Sequence, residues 1–226
     1  MIVSVPDPAP IRAANIDELD RLRLPLPPAG FPLVWEPGDQ VELRPVPELE
    51  ARAAILNVVL ARAFGMPSEQ ASAWLLEARL MERVTEPEWH YVMSGEGDDH
   101  SFALHLEAIT ALLWILGLTK TLDPAAPNAE NVTSLLPDLR AGERFPAWRS
   151  RSLVAPRDPA TVAAVLDLYY CLDWAYLEAE RLSAPLPGMI DSNAIGQRRW
   201  ALEWAVVFQG PYHEDPAGWE EVDLST

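Results

Sequence analysis

The chain has 226 residues, of which 49% are hydrophobic and 23% charged, so it is long enough and apolar enough to bury a substantial core. Asp and Glu number 34 against 17 Lys and Arg, and the formal net charge of -17 argues against nucleic acid or an anionic membrane surface as a partner, because both require a basic footprint. A basic protein partner fits this charge, although acidity alone also serves solubility.

The N-terminal part of the chain is rich in proline: residues 1–47 hold ten of the 22 prolines. Proline lacks an amide donor and fixes the backbone, so this density predicts an extended arm that wraps the core, with one short helix around residues 16–23. The first residues lack a cationic segment followed by an apolar run, and the longest apolar run, residues 109–118, is too short to span a bilayer. We therefore expect a cytoplasmic protein.

Three helices are predicted between residues 48 and 94. The first has an apolar face from Leu49 to Ala63 and ends at Gly65, and the second covers residues 68–83. The segment Thr85–Glu88 (TEPE) has the S/T-x-x-E form of a capping box with proline in the first turn. It predicts the start of a third, short helix.

The stretch Ser101–Gly117 (SFALHLEAITALLWILG) is apolar on nearly every face of a helical wheel, which is typical of a helix buried in a core. Its only ionisable residues are His105 and Glu107. A buried carboxylate must find a partner or stay protonated. Glu107 therefore raises the sharpest chemical question in the sequence.

Two further long helices are predicted in the C-terminal half. Asp158–Pro159 supplies an N-cap and a first-turn proline for a helix over residues 160–182, and a last helix covers residues 192–208. Before them, residues 131–136 form one short helix, and residues 138–157 stay irregular because of their Pro and Gly residues.

The predicted fold class is all-α, because no alternating strand pattern is convincing. We expect a single domain built as a helical bundle or orthogonal array of about six helices. Residues 48–226 form this helical domain, and residues 1–47 are its Pro-rich arm. Cys171 is the single cysteine, so no intrachain disulfide can form, and its apolar helical surroundings predict a core residue.

The spacing of His105 and Glu107 disfavours a metal site. His100 and His105 are five positions apart, and His105 and Glu107 two apart, so neither pair shares a helix face. The sequence has no His-x-x-x-His, P-loop, Gly-x-Ser-x-Gly or Gly-x-Gly-x-x-Gly motif. We therefore expect no metal, no cofactor and no catalytic residue.

Glu107 has two candidate partners in the last helix, Arg198 and Arg199. That helix is apolar after Arg199, so one guanidinium can be drawn into the protein, where a bond to the carboxylate offsets desolvation. We interpret the pair as a buried ion pair that sets the register of two helices. The alternative is a charged pocket that binds a small anion or polarises a substrate.

The long helix carries a second group of candidate residues. Asp167 and Asp173, with Tyr170 nearby, are a combination found in glycoside chemistry. Six positions turn the two aspartates well apart on a helix, so we interpret both as solvated helix flanks. Trp114 and Trp204 fall at core positions, where large aromatic side chains fill the core or line a ligand cavity.

Four segments of the chain resemble, in the same order, the bacterial family known as domain of unknown function 4272. They are residues 106–117 (LEAITALLWILG), 166–175 (LDLYYCLDWA), 197–204 (QRRWALEW) and 219–226 (WEEVDLST). The similarity runs from about residue 48 to the C-terminus. The resemblance implies a fold, but no activity.

The family has a polar set that this chain keeps in part. The residues that match are Glu107, Asp167, Tyr170, Arg198 and Trp204. Those that depart from the pattern are His105 and Cys171, which stand for arginines, Gln197 for a glutamate, Glu203 for an asparagine and Ser225 for an aspartate. Losing several charged members at once would damage an active site, which weakens the expectation of a shared catalytic function.

We therefore expect a non-catalytic module that binds a basic protein partner, for example an immunity-type or antitoxin-like protein that neutralises a basic toxin. The alternative is a small-molecule-binding protein or hydrolase with a pocket around Glu107, as base, and Arg198, as anion anchor. The candidate polar or ligand cluster comprises Glu107, Arg198, Arg199, Asp167, Tyr170, Trp114 and Trp204. The sequence indicates no oligomeric state.

Overall fold

A computed structural model of the chain describes residues 4–127, 131–211, 213 and 216–225. The fold is mostly helical, with one small two-stranded sheet. The helices and strands are α1 (Pro8–Arg21), β1 (Gln40–Leu43), α2 (Val46–Ala63), α3 (Ser68–Glu77), α4 (Glu86–Ser94), α5 (Asp99–Ala103), α6 (His105–Ile115), α7 (Phe145–Arg151), α8 (Pro159–Arg181), α9 (Ser192–Ala205) and β2 (Val206–Gln209). Short 3-10 turns cover Met81–Arg83, Val132–Leu135 and Trp219–Glu221.

Two helices are buried along most of their length and organise the core. In α6 every residue from 108 to 115 is buried, and in α2 every residue from 49 to 60. One face of α2 joins the main core formed with α1, α6, α8 and α9, and the other joins a smaller core formed with α3, α4 and α7. The helix α6 packs against both α2 and α9, and α8 packs against α1 and α9.

The predicted central helix is divided in two. Leu104 separates α5 from α6, and the amide of Glu107 bonds to the carbonyl of Leu104 at 2.9 Å, a tighter turn than an α-helix has. The prediction of one unbroken helix over residues 101–117 was therefore wrong. None of the described helices combines the length and hydropathy that crossing a bilayer requires.

The helix starts that rest on local signals form as predicted. Thr85 and Glu88 make a capping box at the start of α4, in which each side chain bonds to the backbone amide of the other residue. Asp158 caps α8 through the amides of residues 160 and 161, and Pro159 occupies the first turn.

The proline-rich arm contains a long helix, which was not predicted. The helix α1 has 14 residues, its N-cap Asp7 bonds to the amide of Ala9, and Pro8 and Pro10 fall in its first turn. First-turn amides have no partner within a helix, so proline costs little there. The expectation of only a short helix around residues 16–23 was wrong for this reason.

A two-stranded sheet also corrects the prediction that the chain has no strands. Strand β1 pairs antiparallel with β2, and Val41 lies opposite Phe208. The last helix accordingly ends at Ala205 rather than at residue 208. Four-residue strands that pair across more than 160 positions leave no periodic signal in the sequence.

The prediction that residues 138–157 are irregular was wrong in part, because this segment contains α7. Pro146 lies in the first turn of this helix, where it is tolerated. Trp148 is fully buried, and its indole nitrogen donates to the carbonyl of Leu135 at 2.8 Å. This anchor fastens α7 to the smaller core.

Candidate functional site

The packing of α6 against α9 brings Glu107 to Arg198. Arg198 Nε donates to Glu107 Oε2 at 2.7 Å, and the Arg198 side chain is 1% exposed against 20% for Glu107. The other guanidinium nitrogens of Arg198 donate to the carbonyls of Asp123 (2.6 Å) and Ala126 (3.5 Å) and to the hydroxyl of Tyr169 (3.2 Å). All three nitrogens of this guanidinium thus have partners within the protein.

Tyr169 completes the surroundings of Arg198 as a neutral hydroxyl. Burial raises the pKa of Tyr169 to about 12, although the nearby Arg198 lowers it. The hydroxyl also approaches the carbonyl of Leu122 at 3.5 Å. This region is a packed ion pair with hydrogen-bonded neighbours.

Arg199 points to a different set of groups and does not bond to Glu107. Its guanidinium donates to Asp173 Oδ2 at 2.6 Å, to Glu203 Oε1 at 3.3 Å and to the carbonyl of Leu224 at 2.9 Å. Burial raises the pKa of Asp173 more than Arg199 lowers it, and the same balance raises the pKa of Glu203. Arg199 therefore ties α8, α9 and the C-terminal segment together.

Asp167 is fully buried and belongs to an ion pair with the N-terminal arm. Arg12 Nε lies 3.1 and 3.0 Å from its two oxygens, Arg12 Nη2 lies 2.6 Å from Oδ1, and the Asn15 amide donates to Oδ2 at 2.9 Å. The interpretation of Asp167 and Asp173 as solvated helix flanks was wrong, because both are buried and paired.

Tyr170 joins these two ion pairs. Its ring lies 5.7 Å from the guanidinium of Arg12 and 4.7 Å from that of Arg199, and its centroid is 4.9 Å from that of Phe31. Burial raises the pKa of Tyr170, so it faces both cations as a neutral ring. Arg12 and Arg199 thus both contact the Tyr170 ring, and Arg12 also binds Asp167. Sequence reasoning predicted Asp167, Tyr170 and Arg199 as site residues but missed Arg12.

Trp114 lies with another arginine. The guanidinium of Arg157 is 4.5 Å from its ring centroid, and Arg157 Nε donates to the Trp114 carbonyl at 2.8 Å. A second nitrogen of Arg157 bonds to the carbonyl of Thr119 at 2.7 Å. These contacts fix the loop that follows α6.

Trp204 lies between two surface clefts. Its ring is 5.4 Å from that of Trp219, and the guanidinium of Arg44 lies 4.7 Å from its centroid. A cleft of about 270 Å³ on one side includes Glu203 in its wall, and a cleft of about 240 Å³ on the other includes Trp219 and Arg52. Trp204, a member of the predicted cluster, thus lines both of these surface clefts.

A further buried ion pair lies between α2 and α4, and sequence reasoning missed it. One nitrogen of Arg52 is 2.7 Å from both oxygens of Glu88, and the two side chains are 4% and 1% exposed. His105 lies near this pair, and burial, with a contribution from Arg52, lowers its pKa to about 4. Glu88 was assigned only as the capping-box residue, and its bond to the Thr85 amide (3.0 Å) shows that it serves both roles.

His105 and Glu107 face different neighbours, as the helical wheel predicts: His105 faces the Arg52–Glu88 pair, and Glu107 faces Arg198. Among the residues that the structure describes, no three His, Cys, Asp or Glu side chains converge into a group that could hold a metal ion.

Comparison with known proteins gives one match. The family model described as domain of unknown function (DUF4272) matches residues 12–222. No curated protein and no solved structure matches the chain. The match extends the similarity into the arm and includes Arg12, which lies before the region where the sequence resemblance was noted.

Proposed function

Since the chain belongs to the DUF4272 family, whose description assigns no activity, we propose from its own residues that it is a non-catalytic, cytoplasmic interaction module that binds a basic protein partner. An immunity-type or antitoxin-like protein is one concrete form. The proposal treats the chain as one binding unit, a helical bundle or array over residues 48–226 wrapped by residues 1–47.

The observation that carries the proposal is that, in the part of the chain that the structure describes, most arginines pair with carboxylates of the same chain, while many acidic side chains have no such partner. The formal net charge is -17, and within the described residues ten arginines make ion pairs with carboxylates of the same chain. They are Arg12, Arg21, Arg44, Arg52, Arg144, Arg149, Arg151, Arg181, Arg198 and Arg199. Nine of them pair with one carboxylate each, and Arg199 is shared by Asp173 and Glu203, so most of the excess negative charge resides on other acidic side chains.

Several of these acidic side chains are exposed, including Asp17 and Asp20 on α1, Glu86 at the start of α4, and Glu220 in the turn Trp219–Glu221. Glu86 and Glu220 are close in space, because the hydroxyl of Thr85 donates to Glu220 Oε1 at 2.7 Å. An acidic surface of this kind attracts a basic partner over a distance and speeds its association.

The rival proposal, a pocket with Glu107 as base and Arg198 as anion anchor, has less support. A general base needs a free lone pair directed at a substrate, and an anion anchor needs free donors. The Glu107 carboxylate accepts from Arg198, and every nitrogen of that guanidinium already has a partner. Arg198 would therefore have to give up existing bonds before it could hold a ligand anion.

The test is capture of partners from the native host by the immobilised protein at about 50 mM NaCl, followed by elution at about 500 mM. We expect a basic protein in the eluate, and its affinity for the purified chain should fall steeply as salt rises. Recovery of no basic protein at low salt would contradict the proposal.

A pair of matched variants then locates the surface. Glu86→Gln with Glu220→Gln removes two exposed charges beside α4, and Asp17→Asn with Asp20→Asn removes two on α1. We expect one of the two variants to slow association by about tenfold while the other stays close to wild type. Equal, small effects of both would mean that the net charge attracts the partner without a defined acidic face.

A further inference from the structure

Arginine is concentrated in one segment of this acidic chain. Five of its 17 Lys and Arg residues lie between positions 140 and 157, and the only acidic residue among positions 140 to 157 is Glu143. Much of this segment forms α7 and the turn before it, and the turn lies against the end of α3. Arg149 and Arg151 pair with Glu50 and Glu143, whereas Arg144 reaches a cleft at the end of α3.

A cleft of about 370 Å³ opens where α3 ends and α7 begins. Its walls include the rings of Trp74 and Phe145 and the side chains of Arg79, Arg144 and Glu77. This volume falls within the range of small-molecule pockets, about 300–1,000 Å³. Two cations against one carboxylate favour an anion as the occupant.

The aromatic walls of this cleft are fixed by contacts with the protein interior. Trp74 is 8% exposed, and its indole nitrogen donates to the carbonyl of Glu143 at 2.8 Å. The Phe145 ring meets the Trp74 ring edge-on at 6.3 Å and stacks on the buried Trp148 at 5.7 Å. Fixed rings of this kind accept a flat aromatic group with little loss of side-chain entropy.

The arginines of the cleft are available to a ligand. Arg144 Nε lies 2.7 Å from Glu77 Oε1, but their side chains are 75% and 54% exposed, and such exposed pairs contribute little. A ligand anion can therefore take the place of Glu77. Arg79 follows α3 with a φ of +57°, is exposed, and lines the cleft.

We propose that this cleft binds a small aromatic anion, a planar ring that carries one carboxylate or phosphate group. The ring packs against Trp74 and Phe145, and the anionic group bonds to Arg79 and Arg144. The inference is independent of the proposed protein partner, because it uses the residues of this cleft and not the exposed acidic side chains.

The test uses the full chain and three probes that share one ring: benzoate, phenyl phosphate and benzylamine. Binding is followed by calorimetry and by the NMR signal of the Trp74 indole N–H, identified with a Trp74→Phe variant. We expect saturable binding of the two anions with a shift of the Trp74 signal, and at least about tenfold weaker binding of the cation benzylamine. Equal binding of benzylamine, or no saturable binding of either anion, would overturn the proposal.

Two double variants separate the cleft from general charge effects. Arg79→Gln with Arg144→Gln should weaken binding of phenyl phosphate by about tenfold or more. Arg21→Gln with Arg181→Gln removes two other exposed arginines, each 67% exposed, and should leave binding unchanged. If the first variant does not fold, Arg144→Gln alone replaces it, and unchanged affinity in a folded Arg144→Gln protein would also count against the proposal.

Discussion

Glu107 and Arg198 form an ion pair between α6 and α9, and its loss should lower the stability of the fold. We expect Glu107→Ala to lower the free energy of unfolding by about 3 kcal/mol, because it leaves the Arg198 guanidinium buried without its counter-charge. The value lies at the low end for a broken buried pair, since Arg198 keeps its bonds to backbone carbonyls. Urea denaturation at neutral pH measures it.

The matched control for this prediction is Glu178→Ala. Glu178 also bonds to an arginine, Arg181, but that arginine is 67% exposed and the two residues lie on one helix. Exposed pairs of this kind contribute little to the free energy of unfolding, because water screens their charges. If Glu107→Ala and Glu178→Ala unfold at the same urea concentration, burial of the Glu107–Arg198 pair does not stabilise the fold.

His105 should make the protein sensitive to acid. Its folded-state pKa of about 4 lies below the ordinary value of 6.5, so the unfolded chain takes up a proton between these values while the folded chain does not. Stability from this residue is therefore complete above about pH 6.5 and is lost as the pH falls to about 4. The expected loss is up to about 3 kcal/mol.

Comparing variants isolates this effect from that of the carboxylates. Between about pH 7 and pH 4 the wild-type protein should lose more stability than His105→Gln, by up to about 3 kcal/mol, while the exposed His100→Gln should follow the wild type. Parallel pH curves for wild type and His105→Gln would show that His105 titrates normally in the folded protein.

Single residues were predictable from the sequence where the evidence was local. The apolar stretch around Glu107 predicted that it needs a cationic partner, and the composition of α9 narrowed the choice to Arg198 or Arg199. Choosing between them required the rotation of α9 about its axis, which no sequence pattern gives. Asp167 was misread because its partner, Arg12, lies 155 positions away in a segment predicted to lack long helices.

At the scale of elements, α1 is held to α8 by the bond from Arg12 to Asp167. We expect Arg12→Gln to lower the free energy of unfolding by about 3 kcal/mol or more, because Asp167 is fully buried and would lose its cation. Hydrogen exchange should accelerate first in the amides of α1, since this helix has a largely solvent-facing surface and depends on that contact.

Arg21→Gln, at the other end of α1, is the control for Arg12→Gln. Arg21 pairs with Glu18 on the same helix and is 67% exposed, so its loss should change the free energy of unfolding little. If α1 exchanges equally fast in both variants, the helix is held by its apolar face and not by the Arg12–Asp167 pair.

The elements that the sequence predicted well are those with local signals at their ends. The capping box of α4 and the Asp158–Pro159 start of α8 each lie within four residues, and both form as expected. The elements that were missed depend on distant partners: β1 needs β2, and α7 needs the pocket that receives Trp148. In α1 the prolines were counted as breakers although their first-turn position makes them compatible with a helix.

At the scale of the whole molecule, charged side chains fall into two groups: buried ion pairs and exposed, mostly acidic side chains. Buried arginines are matched with carboxylates that join different elements, such as Arg12 with Asp167, Arg52 with Glu88 and Arg198 with Glu107. The net unmatched charge is negative, and part of it lies on exposed side chains such as Asp17, Asp20 and Glu86. The same acidic surface that would attract a basic partner must therefore repel itself, which lowers the stability of the free protein.

This self-repulsion leads to a prediction about salt. Raising NaCl from about 10 mM to about 150 mM shortens the screening length from about 30 Å to about 8 Å, which weakens repulsion between exposed carboxylates more than attraction within buried pairs. We expect the thermal midpoint to rise by about 3 °C, as about 1 kcal/mol of repulsion is relieved in a protein of this size. The rise should be smaller in a variant with Asp17→Asn, Asp20→Asn and Glu86→Gln, which carries three fewer negative charges. A thermal midpoint that falls with salt would contradict this prediction. It would mean that attraction within exposed ion pairs, such as Arg21 with Glu18 and Arg144 with Glu77, outweighs the repulsion between carboxylates. The surplus of acidic residues would then not measurably lower the stability of the fold.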